Sequence, residues 1–138
     1  ISAFAGNHLL ISLDLLVEDG LLDYKLLEDY KEVDPQKILF EDVIRIKMPI
    51  LEQVSRTFNL NASLDMKIAF EKFCVDHSYW LDDYSRYLTL KKGNDQKPWI
   101  DWESKTVQDS EYAYEVIVIQ FLFHDQWNRL HKYCRKKE

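Results

Sequence analysis

Apolar positions recur at intervals of three and four along most of the chain, and strand-like alternation is scarce, so the pattern predicts helices joined by short connections. Only three Gly and three Pro punctuate the 138 residues, which keeps the breaks few. Ser12 stands as an N-cap before a helix Leu13 to Asp19, with Asp14 near its positive end and Gly20 placed for the left-handed position after the last turn. A second short helix is expected from Leu22 to Tyr30. Past a turn at Asp34-Pro35, the residues Phe40, Val43, Ile44, Met48, Leu51 and Val54 paint one face of a helix from Phe40 to Phe58, which Pro49 should kink. Ser63 then caps a helix carrying Ile68, Ala69, Phe73 and Cys74, and a further helix runs from Ser78 to Lys92 with Gly93 as its stop.

The longest element, Asp109 to Arg135, follows the loop Gly93 to Trp102 and would span roughly 40 Å at 1.5 Å per residue. Within it Val116 to Phe123 is apolar on nearly every side, and a helix greasy all round is buried all round. Layers of a larger protein are therefore expected to cover it, and the isolated chain, with this stretch partly exposed, is expected to be marginally stable and to aggregate. The opening on Ile1 rather than Met, and the break-off at Arg135-Lys136-Lys137-Glu138 straight after a strong helix, add to the expectation of a fragment.

Composition sharpens this picture. With 46% apolar and 14% aromatic residues, one domain's worth of chain has enough material for a core. Lys and Arg number 18 against 24 Asp and Glu, and the net charge of −6 with a pI near 5.2 argues against a nucleic-acid or anionic-membrane partner. A neutral or cationic ligand is easier to accommodate. Acids crowd the stretch Asp14 to Asp42, whereas Arg129 to Glu138 is basic; both are read as solvated surface, the second at a helix end that favours cations. Cys74 and Cys134 lack CxxC spacing and sit on apolar helical faces, so reduced core thiols and a reducing compartment are expected. No run has the roughly 18 apolar residues of a membrane span and no signal peptide is visible, which points to the cytoplasm, or to a plastid should a transit peptide precede Ile1. The sequon Asn61-Ala62-Ser63 is too short a pattern to carry weight.

Candidate chemistry is thin. Asp82 and Asp83, set among Tyr79, Trp80 and Tyr84, are the only adjacent acids flanked by aromatics, but helix neighbours diverge and cannot flank one glycosidic bond. Glu71 with Cys74, and His124 with His131, each lack a third ligand, so no metal is expected, and nothing calls for a cofactor. There is no Gly-rich phosphate loop, HExxH or nucleophile elbow. Trp99 and Trp102 in Pro98-Trp99-Ile100-Asp101-Trp102 suit either a packing wedge or a platform for a sugar ring.

Six groups of residues, in order and with matching spacing, resemble the 4-α-glucanotransferases, known as amylomaltases and disproportionating enzymes. They are Ser2-Ala3-Phe4-Ala5-Gly6-Asn7 with Leu9-Leu10-Ile11-Ser12; Leu16-Val17-Glu18-Asp19-Gly20-Leu21-Leu22; Ile46-Lys47 before Pro49 and Leu51; Trp80-Leu81 with Asp83-Tyr84; Pro98-Trp99 with Trp102; and Gln120, Phe121, Phe123, Gln126 and Trp127. The resemblance implies a mainly α fold: a helical insertion subdomain (1–108, with a groove-edge loop 1–12) plus one long helix (109–138) of an incomplete (β/α)8 barrel. It implies that the intact enzyme moves α-1,4-glucan segments between malto-oligosaccharides with retention, and that the rest of the barrel completes the core. The family's catalytic carboxylates lie downstream, so no catalytic residue is carried over. Substrate contact is expected at Ser2, Gly6, Asn7 and Trp99, and a structural role at Trp80, Asp83, Tyr84, Gln120, Gln126 and Trp127. Departures are His8 where many relatives have Pro, Leu39-Phe40 for a common Asp-Tyr, and Ile44 where some carry an aromatic of a second glucan site. The competing expectation is a free-standing acidic helical bundle that binds a protein partner through exposed apolar faces, without catalysis.

Overall fold

The computed structural model describes residues 5–31, 40–94, 96–97 and 109–137, the side chains of 31, 40–43 and 137 excepted. Among these the fold is helical throughout, without strands. A 3-10 turn, His8–Leu10, leads into α1 (Leu13–Glu18), where Ser12 Oγ accepts the Leu15 N–H at 3.3 Å. Gly20 takes a φ of 76°, as a helix-ending glycine should, and the N–H groups of Leu21 and Leu22 then both donate to the Leu16 carbonyl. That closure buries Leu21 and Leu22 in the turn. The next helix, α2 (Tyr24–Lys31), consequently starts two residues later than the sequence suggests, with Asp23 Oδ1 accepting the Lys25 N–H at 2.9 Å.

Helix α3 (Phe40–Arg56) runs through Pro49 in one continuous span and buries Leu51 and Val54. It stops short of Phe58 because the Thr57 hydroxyl donates to the Gln53 carbonyl at 3.1 Å, and Phe58 opens a single turn, α4 (Phe58–Asn61). The Phe58 ring is fully buried, edge-on to Phe70 and Phe121. Ser63 caps α5 (Leu64–Asp76) by accepting the Met66 N–H at 3.1 Å. The expected inward stripe of α5 needs correction: Phe73 and Cys74 face in with Met66 and Phe70, whereas Ile68 and Ala69 are exposed. Apolar residues lie on both sides of this helix, so periodicity alone cannot choose the buried one. Helix α6 (Ser78–Gly93) includes the glycine expected to follow it and is closed by Asn94, whose Nδ2 donates to the Leu90 carbonyl.

Helix α7 (Ser110–Lys137) is the central strut, opened by Asp109, whose Oδ1 accepts the Tyr112 N–H at 2.9 Å. It packs on α3, α5, α6 and the 3-10 turn. Val116, Val118, Ile119, Gln120, Phe121 and Leu122 are buried, with Ile117 and Phe123 half-buried. The partial exposure expected for Val116 to Phe123 is thus confined to Ile117 and Phe123, because this chain's own helices surround the stretch. The apolar surface left open lies one to three turns further on, at Trp127, Leu130 and Tyr133. Cys134 shares that exposed end, which corrects its placement in a core; Cys74 is half-buried, and neither forms a disulfide.

Candidate functional site

The N-terminal segment reaches the face of α7 as a loop with few groups that could make helix or sheet bonds of their own, and α7 supplies the partners. Gln120, only 2% exposed, accepts the Gly6 N–H at 2.9 Å through Oε1 and donates from Nε2 to the Gly6 carbonyl at 3.2 Å. Six residues on, Gln126 does the same for Ser12, at 2.7 and 3.1 Å. Each glutamine amide thereby satisfies one residue's N–H and C=O together, as a neighbouring strand would. Between the clamps, Asn7 Oδ1 accepts the Leu9 N–H at 3.0 Å, and Lys47 of α3 donates from Nζ to the Leu9 carbonyl at 2.5 Å.

Phe123 lies between the two glutamines along α7, and a Cβ on Gly6 would stand 2.1 Å from its ring carbons. Gly6 is therefore glycine because an aromatic ring occupies the side-chain position. What the loop turns outward is Asn7 and Leu10, the latter 66% exposed. Trp127 stacks on Phe123 at 6.0 Å and stays 46% exposed. Three residues past Gln126, Arg129 forks onto Asp19 at 3.1 and 2.7 Å and also reaches Asp125 at 2.6 Å.

Behind the loop is a cavity of about 210 Å³ lined by His8, Met48, Glu52, Tyr84, Leu88, Tyr112, Glu115, Val116, Ile119 and Gln120. Its walls tune the groups in it. Burial, helped by the Lys47 charge, holds His8 below the usual imidazole range, and burial lowers Lys47 as well. Burial raises the Tyr84 and Tyr112 phenols and the Glu115 carboxyl, the last against the pull of Arg56 at 3.4 Å. Among the described residues no cluster of three or more His, Cys, Asp or Glu is arranged to hold a metal ion.

A family model described as 4-alpha-glucanotransferase matches residues 1–138. The chain belongs to the 4-alpha-glucanotransferase family. It is similar to the 4-alpha-glucanotransferase of Aquifex aeolicus, 30% identical over 148 residues and covering 99% of this chain, and to that of Streptococcus pneumoniae, 34% identical over 153 residues and 96% of this chain. The Solanum tuberosum relative, named as chloroplastic/amyloplastic, is 30% identical over 149 residues. The chain spans about 28% of the length of the first two relatives and 25% of the third.

Of the residues the sequence singled out, the fold brings Gly6, Asn7, Gln120 and Gln126 into one neighbourhood and sets Trp127 beside it. Trp80 and Tyr84 pack together on α6, with Trp80 Nε1 3.1 Å from His77 Nδ1, and Asp83 faces solvent. Ser2, Trp99 and Trp102 lie outside the described residues. Asp82 is exposed like Asp83. Glu52 and Glu115 escaped notice in the sequence, and Lys47 was quoted only as part of a motif: they sit on two helices far apart in the chain, and no spacing rule joins them.

Proposed function

We infer that this chain is a segment of a 4-α-glucanotransferase that transfers α-1,4-glucan segments between malto-oligosaccharides with retention of configuration, and that it supplies a wall of the glucan groove. The observation that carries the reading is the family match over all 138 residues, together with relatives of that name aligned over 96–99% of the chain. In this reading 1–108 is a helical insertion with its groove-edge loop 1–12, and 109–138 is a helix of a (β/α)8 barrel whose remaining elements supply the catalytic carboxylates.

Retention requires two carboxyl groups about 5–5.5 Å apart across the scissile bond, and the adjacent, exposed Asp82 and Asp83 are not such a pair. The segment's contribution is to binding. Asn7 borders the sugar, with Ser2 and Trp99 as the further contacts the family resemblance implies, while Lys47, Gln120 and Gln126 hold the loop, Gly6 included, from behind. A sugar's hydroxyls call for fixed donors and acceptors, and a loop clamped at both ends supplies them with little ordering cost on binding.

The test is to incubate the intact protein with maltotriose and separate the products by length. Glucose together with maltodextrins longer than the substrate is expected. A distribution that stays at maltotriose, or that shifts only to hydrolysis products, overturns the assignment. The intact enzyme acts in the cytoplasm or a plastid, where starch-derived glucans are met.

A further inference from the structure

Four side chains of α7, spaced three apart, meet the N-terminal segment in chain order: Gln120 and Phe123 at Gly6, Gln126 at Ser12, and Arg129 at Asp19. Positions at i, i+3, i+6 and i+9 form one oblique ridge on a helix, so the segment lies along this ridge from loop to α1. The two glutamines differ from the other members. Each makes two hydrogen bonds to the backbone, where a side-chain contact would leave the peptide free to turn.

We propose that Gln120 and Gln126 are positioning residues that fix the register and peptide orientation of the Gly6–Ser12 loop, and through it the glucan-binding surface at Asn7. The proposal rests on the functional reading above. Between the clamps the loop pairs with itself: Leu10 and Ile11 donate to the Asn7 and His8 carbonyls, and Leu9 to Asn7 Oδ1. Those bonds keep the loop's internal shape. Its placement relative to the helix scaffold depends on the clamps at its two ends, together with Lys47. Loss of Gln120 leaves the part-buried N–H and C=O of Gly6 without these partners, and loss of Gln126 leaves the Ser12 N–H unpaired while its carbonyl keeps the Leu16 N–H; shifting the loop toward water relieves either loss.

The experiment uses the intact protein with maltotriose, measuring kcat and KM for Gln120→Met and Gln126→Met, whose side chains keep the length but not the amide. KM is expected to rise about tenfold in each with kcat within about twofold, the signature of lost uniform binding. Ser63→Ala, which removes the cap of α5, serves as the stability control and should lower the melting temperature without moving KM. Gln120→Glu gives a readout that general destabilisation would not. A protonated carboxyl can accept from the Gly6 N–H and donate to its carbonyl, so KM should fall toward the wild-type value as the pH drops below about 5. Amide exchange of residues 6–12 should quicken in both Met variants and not in Ser63→Ala. If KM and exchange in both Met variants match the control, the positioning role is overturned. No redistribution of maltotriose by the wild-type protein overturns the functional reading instead, so the two failures are distinct.

Discussion

At the scale of single residues, Gly6 shows how a motif read for one purpose serves another. The resemblance offered it as a substrate contact, and the structure fills its side-chain space with the Phe123 ring. Gly6→Ala should therefore cost about 1–3 kcal/mol, as overpacking of a filled site does, seen as a lowered melting temperature. The double variant Gly6→Ala with Phe123→Leu should recover part of it. An unchanged Gly6→Ala melt would mean that the ring yields freely. Asn7 is similar: its Oδ1 closes the turn on the Leu9 N–H, while the rest of the side chain faces out.

At the scale of elements, local signals were legible and partners were not. Ser12, Ser63 and Gly20 marked helix ends correctly because caps and left-handed turns depend on residues within a few positions. The buried face of α5 was misread because apolar residues on both sides leave the choice to neighbouring helices, and α2 started late because Leu21 and Leu22 are drawn into the α1 turn. The candidate site was half legible. Gly6, Asn7, Gln120 and Gln126 were named by resemblance, but nothing in the sequence links a glutamine on the last helix to a peptide 114 residues earlier.

The α3–α7 interface carries its own pH response. Glu115 is buried, facing Arg56 and near Glu52 and Lys92, and burial holds its folded pKa above the ordinary value of 4.5 despite Arg56. The folded state then binds more protons than the unfolded state just above that value, so stability falls as pH rises through this window. Glu115→Gln removes the titration. It should melt higher than the wild type at pH 7, with the difference shrinking as the pH falls through the window just above 4.5, where the folded wild-type carboxyl takes up its proton. A wild-type protein that melts higher than the variant at pH 7 would show that the Arg56 pair outweighs burial.

At the scale of the whole molecule, the apolar centre of α7 is largely enclosed, and the open apolar surface of that helix is clustered at Trp127, Leu130 and Tyr133. Any self-association of the isolated 138-residue chain should therefore depend on that end of the helix. Leu130→Lys with Tyr133→Lys should shift the chain toward the monomer on gel filtration, whereas polar changes at Leu60 or Leu64, which are more exposed still, should not. Elution unaltered by the first pair would place the sticky surface elsewhere. No helix among the described residues is long and apolar enough to cross a membrane.

The clamps also set an order of events during synthesis. Gly6 and Ser12 each wait for a glutamine 114 residues further along, which at translation speeds of about 5–20 residues per second is a delay of roughly 6–23 s. Until α7 has left the ribosome the loop has no scaffold to lie on, while α1, α3, α5 and α6 can already begin to form from local contacts. The N-terminal loop, though encoded early, is among the last parts of this segment to take its shape.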